Sequence, residues 1–108
     1  DTGCTMRTVG DTAADASPAT GVAFYYNGSW SIVGGTSVAA PLVGGIFGTN
    51  GGNVNAASTI YANTKKLFDV TSGSNGSCNP AYLCTGEVGY DGPTGNGTPD
   101  GVKAFGNK

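Results

Sequence analysis

Residues 21–34 form two apolar-rich runs around a polar break at Asn27-Gly28: Val22-Ala23-Phe24-Tyr25-Tyr26 before it and Ser29-Trp30-Ser31-Ile32-Val33 after it. Asn-Gly is the pair that a type I′ turn selects, because both central positions need a positive φ. Strands joined by that turn have one register. Tyr25 faces Trp30 and Ala23 faces Ile32 on one side, while Val22 faces Val33 and Phe24 faces Ser31 on the other. The aromatic residues read as packing surface rather than ligand contacts. After the hairpin the period changes. Val38, Leu42, Val43 and Ile46 recur at helical spacing and predict a helix over 37–48, which Gly44, Gly45 and Gly48 weaken. Glycines at that density predict close packing against a neighbour, and a lone helix of this composition is unstable in water. Asn55 is placed to cap a second helix running to Lys65, with Lys65 and Lys66 as solvated charges near its end.

The flanks read as loops. Residues 1–20 predict an extended lead into a turn at Ser17-Pro18, with Asp11 and Asp15 as turn or cap residues ahead of any catalytic role. Residues 67–101 set Asp69 and Asp91 in Gly-rich segments, Phe68-Asp69-Val70-Thr71-Ser72-Gly73 and Gly89-Tyr90-Asp91-Gly92-Pro93-Thr94-Gly95. Exposed carbonyls beside two carboxylates suit a hard cation such as Ca²⁺. The same residues suit a pair of Asx turns, and local chemistry leaves both open.

Composition narrows the chemistry. A chain of 108 residues is at most one domain, and 20 glycines with 11% charged residues describe tight turns rather than a helical bundle. A net charge of −2 without a basic run argues against nucleic acid and anionic membranes as partners. No signal peptide or membrane-length apolar stretch is present, and the chain opens at Asp1 in the manner of a mature or cleaved product. Histidine is absent, so no Ser-His-Asp triad can be built from these residues. Cys78 and Cys84 can close a small ring, worth about 2 kcal/mol in the chain-entropy model. Cys4 is left over, which in a secreted protein points to a partner outside this sequence.

The candidate chemistry lies in Gly34-Gly35-Thr36-Ser37-Val38-Ala39-Ala40-Pro41. A glycine pair carries the chain out of a strand into a helix start. Ser37 falls at or next to the N-cap, where free N–H groups and the helix dipole favour a developing anion. Pro41 fits the same opening turn, whose N–H groups lack internal partners. The plainer reading is a Ser/Thr cap after a glycine turn.

The wording of this motif, Gly-Thr-Ser followed by small residues and a proline, resembles the nucleophile motif of the subtilisin and sedolisin clan of serine peptidases. Further segments resemble the sedolisins, the serine-carboxyl peptidases, in particular: Asp15-Ala16-Ser17-Pro18-Ala19-Thr20-Gly21, the hairpin, Asp69-Val70-Thr71-Ser72-Gly73, and Gly89-Tyr90-Asp91 with Thr94-Gly95 and Gly97-Thr98-Pro99. A subtilisin usually has histidine after the proline, where this chain has Leu42, and lacks the two aspartate motifs. The resemblance runs through nearly the whole chain and makes residues 1–108 a C-terminal segment of a sedolisin-like catalytic domain. The implied fold is α/β and subtilisin-like in three layers, with this chain giving the hairpin, the nucleophile helix and the Gly-rich calcium loops.

By the same resemblance Ser37 matches the catalytic nucleophile. Asp69 and Asp91 match the side-chain ligands of a Ca²⁺ site, and the carbonyls of Val70, Glu87 and Gly89 match its backbone ligands. Glu87 stands where glycine is common, and Asn96 where an apolar residue is usual, which predicts looser packing there. The family's general-base glutamate, its orienting aspartate and its oxyanion aspartate lie upstream of the matched region. An unassisted serine is a poor nucleophile, so the isolated chain is expected not to hydrolyse peptides. The completed enzyme would be a secreted, extracellular endopeptidase acting on proteins or peptides in acid, where a carboxylate base stays competent. Its upstream part is the expected partner, and the resemblance pairs Cys4 with an upstream cysteine. The rival readings are an inactive calcium-binding fragment and a subtilisin-type fragment that borrows a histidine. Sequons occur at Asn27, Asn75 and Asn96.

Overall fold

A computed structural model describes residues 5–51 and 55–106. Cys4 therefore lies outside the described residues. The hairpin forms as its turn chemistry dictates. Asn27 (φ 49°) and Gly28 (φ 81°) link β1 (Val22–Tyr26) to β2 (Ser29–Val33) in the expected register, with Val22 opposite Val33 and Tyr25 opposite Trp30. The Tyr25 and Trp30 rings meet edge-on at 5.4 Å. They pack on each other and little else, since Tyr25 is 60%, Trp30 71% and Ile32 70% exposed. A two-stranded hairpin is marginal without a surface to lie on, and none of the described residues covers this one.

β2 runs through Gly34 and Gly35 into α1 (Thr36–Asn50), which ends on Gly51 in the left-handed conformation (φ 66°). α1 buries one stripe. Val43, Ile46 and Phe47 pack against the core residues Ile60, Leu67, Ala104 and Phe105, and the Phe47 ring meets Phe105 edge-on at 4.8 Å. The expected close packing of Gly44, Gly45 and Gly48 is not found: a Cβ at any of them would meet nothing within 4 Å. The bare face of α1 points away from everything described here.

Two boundaries differ from expectation. Pro41 sits inside the helix rather than in its first turn. It removes the N–H that would bond to the carbonyl of Ser37, so the free donors of the opening turn do not account for it. The second helix, α2 (Ala56–Ala62), stops short of Lys65. Asn55 caps it, accepting the Ser58 amide at 3.3 Å, but Asn63 leaves helical geometry (φ −128°) and bonds its side chain back to the Thr59 carbonyl. Thr64–Lys66 then make a single 3₁₀ turn with both lysines exposed.

The remainder is loop held by short ladders. β3 (Leu67–Phe68) pairs antiparallel with β4 (Thr98–Pro99). Cys78 and Cys84 form the expected disulfide, and Asn75 and Gly86 bond across its neck to Cys84 and Gly73. The result is an α/β arrangement with a small core. Its radius of gyration is 15.1 Å, against about 13 Å for a self-sufficient domain near this length. No helix among the described residues is long and apolar enough to cross a membrane.

Candidate functional site

Ser37 is placed by three successive local decisions. Gly35 is the N-cap of α1 at φ 115°, a conformation only glycine adopts easily, and no side chain caps the helix. Its carbonyl accepts the amides of Val38 (2.9 Å) and Ala39 (3.2 Å). The amides of Thr36 and Ser37 find no acceptor among the described residues and stay available at the positive end of the helix. Ser37 is exposed in the first turn, one residue further inside the helix than a cap-adjacent position, and its hydroxyl makes no hydrogen bond to a described residue.

The turn that delivers Ser37 is set against the lead segment. Gly35 donates to the Ala16 carbonyl at 2.6 Å. A Cβ on Gly34 would lie 2.5 Å from the Pro18 nitrogen, so the two backbones approach as closely as glycine alone allows. Asp15 caps the expected turn, accepting the Ser17 amide at 2.8 Å. That amide, with the Thr20 hydroxyl, holds the Asp15 carboxyl below the usual carboxylate range.

Beside Thr36 an open cleft of about 580 Å³ runs between residues 9–14 and the Ala39, Ala40, Val43 and Phe47 side of α1. Asp11 stands on its wall and is not the turn residue expected. Its carboxylate accepts Arg7 and the Tyr61 hydroxyl, and its carbonyl accepts both the backbone and side-chain nitrogens of Asn96 at 3.0 Å. Desolvation, and then the Asp11 carboxylate, raise the Tyr61 hydroxyl above its ordinary range. Asn96 therefore fastens its loop to the lead segment, contrary to the looser packing expected of it.

The second cluster is the pair of aspartate loops. Asp91 is fully buried, with Oδ1 accepting the Thr94 amide and hydroxyl (2.8 Å each) and Oδ2 accepting the Glu87 amide at 3.0 Å. Asp69 is exposed and accepts the Gly89 amide at 2.8 Å. Both carboxylates are thus tied to the 87–91 loop: Asp91 closes a local turn to Thr94, whereas Asp69 reaches Gly89, 20 positions away, and makes no Asx turn of its own. The carbonyls of Val70, Glu87 and Gly89 accept no hydrogen bond from described residues. No group of three or more His, Cys, Asp or Glu suited to a metal occurs among the described residues. A cation here would rest on Asp69, Asp91 and those three carbonyls, an all-oxygen set that fits Ca²⁺ rather than a softer metal. Thr94 stood in the motif only beside Gly95, with no role assigned to its side chain. Its Asp-x-x-Thr spacing is a local capping signal that could have exposed it, whereas the Tyr90 hydroxyl bond to the Gly10 carbonyl (2.9 Å) has no local signal at all.

No protein-family model matches the chain, and no solved structure matches it significantly. Two curated relatives are similar to most of the chain. Kumamolisin from Bacillus sp. (strain MN-32) is 34% identical over 105 residues, spanning 90% of this chain and 19% of its own length. Xanthomonalisin from Xanthomonas sp. (strain T-22) is 39% identical over 105 residues, spanning 89% of this chain and 12% of its own length. The chain belongs to the sedolisin family of serine-carboxyl peptidases and corresponds to a C-terminal segment of it. It spans less than a fifth of the length of either relative.

Proposed function

We propose that this chain is the nucleophile-bearing part of an acid-acting serine-carboxyl endopeptidase with a subtilisin-like three-layer domain, residues 1–108 being its C-terminal segment. The observation that carries this reading is Ser37, exposed at the start of α1 with the Thr36 and Ser37 amides free beside it. A glutamate from the upstream part takes the Oγ proton of Ser37, and Oγ attacks the scissile carbonyl of a protein or peptide. The Ser37 amide and an upstream carboxylic acid donate to the resulting oxyanion, and the protonated base then passes its proton to the leaving amine. Water reverses these roles to free the enzyme.

Asp69, Asp91 and the carbonyls of Val70, Glu87 and Gly89 are proposed to hold one Ca²⁺. When bound, the ion supplies positive charge to two carboxylates and stiffens the 87–91 loop. Secretion, and a disulfide from Cys4 to the upstream part, belong to the same proposal. One feature favours the second reading, an inactive calcium-binding fragment: the aspartate loops find their partners within the chain, whereas Ser37 does not.

The test compares the isolated chain with the chain completed by its upstream part, each with and without Ser37→Ala. The completed protein should cleave denatured protein substrate in acid, and Ser37→Ala should lower kcat by at least about 10⁴-fold. The isolated chain should show no turnover. Activity that survives Ser37→Ala overturns the assignment.

A further inference from the structure

We propose that Asp15 is a positioning residue for Ser37, acting through the single peptide unit that joins Ala16 to Ser17. This rests on the reading of Ser37 as the nucleophile. The two ends of that peptide do different work. Its N–H, on Ser17, is held by Asp15 Oδ1 at 2.8 Å. Its C=O, on Ala16, accepts the Gly35 amide at 2.6 Å. In a planar trans peptide the two groups point in opposite directions, so fixing one aims the other. A carboxylate on the N–H also polarises the unit and strengthens the carbonyl as an acceptor.

Gly35 needs such an anchor. Without a Cβ, and at φ 115°, it is the freest point between β2 and α1, and its own carbonyl starts the helix that carries Ser37. Contact alone cannot fix the peptide's rotation. Gly34 rests on Pro18 and the Ser17 carbonyl carbon, which limits how near the strap lies but not which way its amide faces. The rest of the turn is closed by Ser17, whose carbonyl accepts the Thr20 amide at 3.3 Å and whose hydroxyl accepts the Ala19 amide at 3.2 Å. Among the described residues only the Asp15 side chain bonds to the peptide that meets Gly35. The groups acting on its carboxylate are the Ser17 amide and the Thr20 hydroxyl, both neutral, and both keep it ionised further into acid.

The experiment uses the completed peptidase with Asp15→Ala, which removes the acceptor, and Asp15→Asn, which keeps a side-chain carbonyl in its place. Two readouts are taken: hydrogen exchange of the Gly35 amide and the steady-state constants. Asp15→Ala should speed Gly35 exchange and lower kcat, each by about five- to tenfold, with KM changed by less than about twofold. Asp15→Asn should restore both to within about twofold of the parent. Unchanged exchange and kcat in Asp15→Ala, or an Asn variant no better than the Ala variant, overturns the proposal. Ser37→Ala in the same assay reports on the nucleophile alone. Activity surviving that change, with Gly35 exchange still sensitive to Asp15, would sink the catalytic reading and leave the strap a matter of folding.

Discussion

The glycines of α1 and two of the second aspartate loop, Gly92 and Gly95, look alike in sequence and differ in space. A Cβ on Gly44, Gly45 or Gly48 meets no described atom within 4 Å, whereas one on Gly92 would lie 2.4 Å from the Leu83 carbonyl oxygen. The same division runs through the two halves of the chain. Residues 67–106 are held by a buried and satisfied Asp91, a disulfide ring, Gly92 donating to the Tyr82 carbonyl at 2.8 Å, and bonds from Asn96 and Tyr90 to the lead segment. Residues 21–50 present an aromatic hairpin, a bare helix face and a serine without a base. The loops find their partners within the chain, whereas the Tyr25–Trp30 pair, the bare face of α1 and the Ser37 hydroxyl find none among the described residues.

The largest test of that division is Gly92→Ala. Backbone sits where the methyl must go, so the loops should lose about 3 kcal/mol or more, seen as a lowered denaturation midpoint. A loss under about 0.5 kcal/mol would mean that these loops are not close-packed. Asp91→Ala should cost about 3 kcal/mol, because it leaves the Glu87 amide and both Thr94 donors unpaired. The same variant should abolish the thermal stabilisation expected on adding Ca²⁺, and a retained calcium response would remove Asp91 from the ligand set. Replacing Cys84 by Ser should cost about 2 kcal/mol in thermal denaturation. Gly44→Ala is the smallest effect and the sharpest. In the isolated chain it should be neutral to stabilising by about 0.5–1 kcal/mol. In the completed protein it should be destabilising, if the bare face of α1 is covered there. Equal effects in both settings would erase the contrast between the halves.

Legibility followed distance along the chain. The hairpin could be read to the residue because a two-residue turn fixes both register and face, and Asn27 and Gly28 both take positive φ at little cost. The Asn55 cap and the Cys78–Cys84 ring were equally local. Ser37 was visible as a motif, and its position in the first turn came out within one residue. The end of α2 was missed because Asn63 spends its side chain on the Thr59 carbonyl, a choice that competes with helix continuation and leaves no periodic trace. Asp11 was misread for a different reason. Its partners Tyr61 and Asn96 lie 50 and 85 positions away, and no spacing rule reaches that far. The packing expected of the α1 glycines failed because sequence shows that a helix wants a neighbour but not whether the same chain supplies it.

The covalent ring between Cys78 and Cys84 has a consequence for survival among peptidases. Residues 77–81 lie exposed on the surface, the kind of loop tip where nicking concentrates. A cut anywhere inside the ring opens the peptide backbone but leaves both new ends tethered through sulfur. The flanking segments, bonded between Asn75 and Cys84 and between Gly86 and Gly73, then remain in register. Damage at this point would appear as one added water in an intact mass, and as two pieces only after reduction.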